Sequence, residues 1–289
     1  MTRRSLLAIL LAVVASGCGM CGRAAPPASP DVLAVMRPSL PTDPDDPAWA
    51  DVPVHTAPLL LQDLVEPRLM TPSTVDVRVR AITNGSKVAF RLEWDDAAVD
   101  DLPTAGHFVD ACAIQLPVTL AADLPAPQMG EVGRPVEITY WRASWQAVVD
   151  GRGDTIKDVF PGATVDHYPF EAASLPPGSP EQQAMASRYA PARALGNAMA
   201  GPRTSPVQDL VAQGPGTLEP GPSMDSSGRG RRLASGWAVV IGRRLPAGLA
   251  PGGRGQIAFA VWEGSHDEAG ARKMRTGWVP FVVETDSRQ

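Results

Sequence analysis

Hydrophobic and polar residues alternate along several short segments of the chain, which is the pattern of β-strands with one buried face. Residues 75–81 alternate Val or Ala with Asp or Arg, and residues 88–94 alternate again after the turn Asn84-Gly85-Ser86. This pair predicts a β-hairpin. Further strands are predicted at residues 111–116, 136–143, 145–149, 237–243, 257–262 and 278–283. Short strands separated by turn residues predict an all-β fold, a two-sheet antiparallel β-sandwich with long loops and a few short helices.

Composition supports a folded protein with many loops. The chain has 289 residues, of which 44% are hydrophobic, and this is enough for a sizeable core. Thirty prolines and 27 glycines favour strands and loops over a helical bundle. The formal net charge is -5 and no basic stripe with interleaved aromatics occurs, which argues against nucleic acid as a partner.

The N-terminus has the parts of an export signal. Arg3-Arg4 is followed by the apolar run 6–15 and by small residues before Cys18, so residues 1–17 are predicted to be a signal peptide. Ala15-Ser16-Gly17-Cys18 resembles a bacterial lipobox, in which Cys18 would carry the lipid of a lipoprotein. The alternative is ordinary signal-peptide cleavage, which would leave a soluble periplasmic protein.

Domain boundaries follow from composition. Residues 18–40 are rich in Ala and Pro and are predicted to be a linker between the lipid anchor and the folded domain. The β-sandwich is expected to occupy residues 41–289. Within it, residues 171–232 are dominated by Pro, Gly and Ser and are predicted to be a surface insertion. An alanine-rich part of this insertion, Pro180 to Ala200, predicts one or two short helices.

The three cysteines argue against two kinds of redox site, a covalently attached haem and an iron–sulfur cluster. Cys18 and Cys21 form a C-x-x-C pair, but Gly22 stands where covalent haem attachment requires histidine. Cys112 lies in an alternating segment and is predicted to be a small buried hydrophobe. Three cysteines are too few for the usual four-cysteine ligation of an iron–sulfur cluster.

Lysine is rare in this chain, so each lysine is a candidate for a specific role. Lys87, Lys157 and Lys273 stand against 23 arginines. Lys273 lies in a glycine-bounded loop between two tryptophan-bearing strands, at Trp262 and Trp278. An amine can lose its proton and donate a lone pair to a metal, whereas a guanidinium effectively cannot.

Several short motifs occur in an order that is similar to one known family. They are Pro44-Asp45-Asp46-Pro47-Ala48-Trp49, Asn84-Gly85, Trp94-Asp95-Asp96, Phe108-Val109-Asp110-Ala111, Gln128-Met129-Gly130, Tyr140-Trp141-Arg142-Ala143 and the stretch from Trp262-Glu263-Gly264 to Lys273. With these motifs the chain resembles the haem b-binding gamma subunit of periplasmic molybdoenzymes such as ethylbenzene and dimethylsulfide dehydrogenases.

The resemblance implies a β-sandwich with one haem b, whose iron is ligated by a methionine and a lysine. The family's methionine falls on Met129 and its lysine on Lys273. This chain departs from the family after the lysine, where Met274 adds a second sulfur. Neighbours in an extended strand point to opposite faces, so Met274 and Lys273 are not expected to bind the same iron.

The function implied is that of a non-catalytic electron-transfer subunit, a cytochrome b. A thioether ligand raises the haem potential, and two protein ligands leave no open position for a substrate. The implied partners are a molybdopterin catalytic subunit, an iron–sulfur subunit and a soluble cytochrome. The expected location is the periplasmic side of a bacterial membrane, through the lipid on Cys18.

Other side chains compete for these roles. His266 is the main rival ligand because it lies in the same loop as Lys273 and histidine is the commonest haem ligand. His55, His107 and His167 are weaker candidates. Arg142 or Arg272 could pair with the haem propionates.

Two other functions remain open at this point. A sandwich of this kind also suits a family 9-like carbohydrate-binding domain, in which exposed Trp49, Trp94, Trp141 and Trp145 would stack on sugars. The third possible function is that of a structural lipoprotein whose sandwich has lost its ligand. A haem site requires an apolar cleft in which Met129 and Lys273 face each other, whereas a sugar site requires exposed tryptophans.

Overall fold

The computed structural model describes residues 28–164, 175–176, 178–195 and 203–285. The strands, in chain order, are β1 (Val32–Met36), β2 (His55–Pro58), β3 (Leu60–Leu61), β4 (Asp76–Thr83), β5 (Lys87–Asp95), β6 (Ala111–Pro117), β7 (Val136–Arg142), β8 (Val207–Ala212), β9 (Glu219–Pro220), β10 (Ser227–Arg232), β11 (Gly236–Arg244), β12 (Arg254–Trp262), β13 (Met274–Arg275) and β14 (Val279–Val283). The helices are α1 (Ala143–Val149), α2 (Ile156–Val159), α3 (Pro180–Tyr189) and α4 (Pro191–Ala194), with 3₁₀ turns at Pro47–Trp49 and Gly264–His266. None of the helices in these ranges has the length and apolar character needed to span a bilayer.

The first sheet runs in the order β10-β11-β5-β4-β1-β14, and β2 also pairs with β4. The predicted hairpin is present as β4 and β5, whose register places Ala81 opposite Phe90. Strand β1 lies between β4 and β14 and is parallel to both. Every other pairing between the described strands is antiparallel.

The second sheet runs in the order β12-β6-β7-β8-β9, with β13 on β12 and β3 on β13. Strand β12 joins the two sheets. Its first residues, Arg254 to Ile257, pair with β14, and its last residues, Ala258 to Trp262, pair with β6. The two sheets are thus connected through one long strand, and the all-β sandwich predicted from the sequence is confirmed.

The core has an inner layer and two outer layers. Between the sheets, Phe90 and Phe281 of the first sheet share one buried cluster with Trp141, Ile114 and Val261 of the second. The outer face of the first sheet is covered by a smaller cluster around Trp49. The outer face of the second sheet carries another cluster, made by Ala113, Ile138, Leu210, Trp262 and neighbours. This third cluster forms the floor of the candidate site.

Three expectations from the sequence are corrected by the fold. The linker 18–40 contains β1, whose buried Val32 and Ala34 belong to the inter-sheet core, so the folded domain begins before residue 41. The strand predicted at residues 145–149 is helix α1. The stretch 171–232 contributes β8, β9 and β10 to the two sheets, so it is not only a surface insertion.

Two other predictions agree with the structure, and some of the predicted residues lie outside its described part. Helices α3 and α4 lie in the stretch predicted to form one or two short helices. Cys112 is buried on β6 with a free thiol, as predicted. The signal peptide 1–17, Cys18, Cys21 and His167 lie outside the described residues.

Candidate functional site

A large cavity lies on the outer face of the second sheet. Its volume is about 1060 Å³, at the upper end of the roughly 300–1,000 Å³ typical of cofactor and ligand sites. The floor is formed by the strands and the walls by the loops around residues 62–67, 127–129, 215–220 and 270–276. Most of the lining side chains are apolar or aromatic, and they include Met129, Ile138, Tyr140, Trp145, Leu210, Ala260, Trp262 and Phe259.

Met129 is held at the cavity by a loop fixed to the second sheet. The side chain of Gln115 on β6 donates to Pro127 O at 3.0 Å, and Gly214 N donates to Met129 O at 2.8 Å. The backbone of Met129 has φ 70°, a left-handed conformation that is uncommon for a residue with a side chain. Backbone strain of this kind concentrates at functional sites.

Lys273 is fixed by the strand pairings that close the opposite wall. Gln62 N donates to Lys273 O at 3.1 Å, and the indole of Trp262 donates to Gly270 O at 3.1 Å. Strand β13 then begins at Met274 and pairs with β12 and β3. The loop that carries Met129 (residues 127–129) and the loop that carries Lys273 (residues 270–273) are therefore distant in sequence but anchored to the same sheet.

The structure brings Met129 and Lys273 together. The distance from Lys273 Nζ to Met129 Sδ is 3.8 Å, and Nζ lies 5.0 Å from the centroid of the Trp262 ring. Burial lowers the pKa of Lys273 to about 8, and the charge of Arg275 adds to this shift. An amine that loses its proton easily beside a thioether forms a donor pair suited to a transition metal.

Asp110 anchors the start of the segment 264–273, which leads to Lys273. Its carboxylate accepts from Gly264 N at 2.9 Å, from Asp100 N at 2.9 Å and from Trp237 Nε1 at 3.0 Å. Burial raises the pKa of Asp110, while these hydrogen bonds act in the opposite direction. Two of the sequence motifs, around Asp110 and around Trp262-Glu263-Gly264, thus meet in one buried hydrogen-bond network.

The lowered pKa of Lys273 predicts how the ligand-free protein responds to its replacement. Between pH 8 and 10.5 the unfolded chain keeps a proton that the folded chain has lost, so stability rises with pH through this window. Below pH 8 the burial penalty on the ammonium remains in full. We expect Lys273→Met to stabilise the ligand-free protein by about 2–3 kcal/mol at pH 7 and less as the pH approaches 10.5.

Denaturant unfolding across this pH range measures the difference between wild type and Lys273→Met. Lys157→Met, at an exposed position, is the control and should change stability little. A Lys273→Met protein that is less stable than wild type at pH 7 would contradict the buried-ammonium account.

Arg275 is a charged residue of the cavity wall that the sequence analysis did not single out. It is 8% exposed and lies two residues after Lys273, so both side chains reach the cavity. Burial lowers the pKa of Arg275, and the charge of Asp63 partly opposes this. Met274 points the other way, into the inter-sheet core, as strand alternation predicted. The i, i+2 spacing from Lys273 places Arg275 on the same face of the segment, but it gives no sign that Arg275 is buried without an ion pair.

The rival ligands lie elsewhere. His266 does not line the cavity. Its side chain is 54% exposed, and its Nδ1 is 3.1 Å from Glu263 Oε2. His107 is exposed, and His55 Nδ1 is 3.1 Å from Ser29 O. Arg142 and Arg272 are also absent from the cavity wall.

The tryptophans proposed for sugar stacking are all buried. Trp94 and Trp141 are 0% exposed, and Trp49 and Trp145 are 4% and 6% exposed. Trp145 lines the cavity, where Tyr140 contacts it edge-on and also contacts Trp262, with ring centroids 5.4 and 5.3 Å apart. The exposed platform that the carbohydrate-binding alternative required is therefore not formed by these four residues.

Comparison with known proteins gives one family and several likenesses. A Haloferax mediterranei protein named as a respiratory nitrate reductase heme subunit is 25% identical over 257 residues, which are 86% of this chain and 71% of that protein. Two structures of a family 9 carbohydrate-binding module from Caldicellulosiruptor kristjanssonii, in complex with cellotriose and with glucose, have TM-scores of 0.42 and 0.39 at 11% and 8% identity. They cover 89% of this chain and 95% and 97% of their own chains. Such low TM-scores carry no information on function. The family described as ethylbenzene dehydrogenase matches residues 46–274, which confirms the resemblance found in the sequence, and the chain belongs to this family.

Proposed function

We propose that this protein is the haem b electron-transfer subunit of a periplasmic molybdoenzyme complex. In this proposal Met129 and Lys273 would ligate the haem iron. The observation that carries it is the 3.8 Å approach of Lys273 Nζ to Met129 Sδ at the wall of a large apolar cavity.

The donor pair fits a metal ion. An amine nitrogen and a thioether sulfur are both donors that a transition metal accepts, and the two atoms already lie 3.8 Å apart. Both atoms belong to anchored loops that approach from different walls of the cavity. The volume of about 1060 Å³ is ample for a flat apolar macrocycle.

The chain's own residues define what the site does. A bound haem supplies a one-electron Fe(III)/Fe(II) couple. Lys273 must give up its Nζ proton to donate its lone pair, and the lowered pKa of this group reduces the cost of that step. Met129 would offer the haem iron a soft sulfur, which favours the reduced state. A haem held by these two side chains would relay electrons, which supports a subunit that is not itself the catalyst.

The family and the relative's name support a set of partners for this subunit. We infer that electrons pass between this subunit and an iron–sulfur subunit, which connects it to a molybdopterin catalytic subunit, and that a soluble cytochrome is the external redox partner. The heme-subunit name of the Haloferax mediterranei protein supports a place in a respiratory complex. The lipid on Cys18 would hold the protein at the periplasmic face of the membrane.

The visible spectrum of the protein tests the cofactor. We expect protein isolated from a haem-replete periplasm to show a low-spin b-type spectrum, oxidised and after dithionite reduction, and one haem b per chain in a pyridine haemochrome assay. Protein produced without haem and then titrated with haem is the matched control, and it should acquire the same spectrum. A colourless protein that also fails to take up added haem would rule out the electron-transfer role.

A further inference from the structure

Arg275 places in the cavity wall a positive charge that has no ion-pair partner among the described residues, since the charge of Asp63 acts on it only from beyond ion-pair distance. Arg275 is 8% exposed, and its Nε has no hydrogen-bond partner among the described residues. Its Nη1 donates to Thr276 O at 3.3 Å, which is a neutral acceptor. A buried charge without a partner of opposite sign carries a large desolvation cost.

Two other buried arginines show how this chain usually treats such a charge. Arg91 forms an ion pair with Glu93 and also donates to Pro44 O at 2.8 Å. Arg243 forms an ion pair with Glu137. Arg275 forms no ion pair with any described carboxylate. Its missing partner is therefore expected to come from outside the chain.

The position of Arg275 gives the direction of that partner. Arg275 and Lys273 lie two residues apart in an extended segment, so they share one face, which is the face that lines the cavity. In the sheet Arg275 stands opposite Ala260, whose small side chain leaves space above the floor. The carboxylates on the cavity wall, Glu66 and Glu219, are exposed, and Glu66 is paired with Arg68.

We propose that Arg275 binds a carboxylate of the iron–porphyrin, so that the cavity selects a macrocycle with acidic side chains. A guanidinium keeps its charge in a buried site and offers a planar fork that matches a carboxylate. This inference rests on the proposed function, because it assigns a residue to the same cofactor.

Two porphyrins test it: iron protoporphyrin IX, which has free carboxylates, and its dimethyl ester, which has none. Both are titrated in the same detergent buffer into ligand-free wild type and Arg275→Gln, and binding is followed by absorbance. We expect wild type to bind the ester about 10- to 100-fold more weakly than the free acid. Arg275→Gln should lose most of this preference by weakening binding of the free acid. Arg254→Gln, on an exposed arginine of β12, is the control and should keep the preference.

The outcomes separate this inference from the proposed function. If wild type binds both porphyrins equally, or if Arg275→Gln keeps the wild-type preference, the role of Arg275 is overturned while haem binding stands. If neither porphyrin binds wild type, the proposed function fails and the inference fails with it. Should Arg275→Gln not fold, Arg275→Lys takes its place. It keeps the charge but loses the fork, so it should show a reduced preference, and an unchanged one would overturn the inference.

Discussion

Replacing either Met129 or Lys273 with alanine is expected to abolish the low-spin haem spectrum. Each change removes one of the two proposed iron ligands, whose donor atoms lie 3.8 Å apart. Loss of an outer-shell partner commonly weakens metal binding by about 10- to 100-fold, and loss of a direct ligand should cost at least as much. The measurements are the absorbance spectrum in both redox states and a haem titration of each purified variant.

Matched controls keep this experiment specific. Met70 is 72% exposed and Lys157 is exposed, so Met70→Ala and Lys157→Ala should leave spectrum and affinity unchanged. His266→Ala should also leave them unchanged, because His266 pairs with Glu263 and does not reach the cavity. A lost spectrum in His266→Ala together with an intact one in Lys273→Ala would overturn the ligand assignment.

The largest loss of stability is expected from Trp141→Ala. Trp141 is fully buried between the sheets and contacts the rings of Trp94 and Trp237 edge-on, with centroids 6.4 and 5.3 Å away. Removing such a side chain leaves a cavity that the surrounding strands cannot fill, at a cost of about 3–5 kcal/mol. Denaturant unfolding of the ligand-free protein measures this loss. Phe160→Ala, at an aromatic that is 46% exposed, should cost far less.

A double mutant tests the packing around Trp141 directly. A Cβ atom added at Gly230 on β10 would lie 2.1 Å from the Trp141 ring, so Gly230→Ala should destabilise the wild type. In the Trp141→Ala background the same change gains space and should be much less harmful. Additive effects of the two substitutions, or a loss below about 1 kcal/mol for Trp141→Ala, would show that this contact does not govern the core.

The sequence predicted the fold best where local patterns agree with tertiary contacts. The β4–β5 hairpin was found within two residues because Asn84-Gly85 marks its turn and one face of it is buried. Strand β1 was missed because its five residues follow a segment rich in Ala and Pro and pair only with distant strands. Helix α1 was taken for a strand because seven residues are too few to separate the two periodicities.

The site was predictable in part. Met129 and Lys273 were reached through the family resemblance, and no local pattern shows that a loop after β6 and the loop before β13 share one cavity. Arg275 was overlooked because its significance lies in burial without an ion pair, which depends on the arrangement of other elements. The burial of Trp49 and Trp145 likewise depends on segments that are distant in sequence.

The position of β1 also bears on how the chain reaches its folded state. Val32 pairs with Phe281, so contact between these residues closes a loop that contains nearly the whole domain. Such a closure costs much chain entropy before it brings any packing energy, which slows folding. One edge of β1 stays open until residues 279–283 have joined the sheet. The first sheet is therefore completed only when β14 pairs with β1, and until then β1 presents an edge that other strands can join.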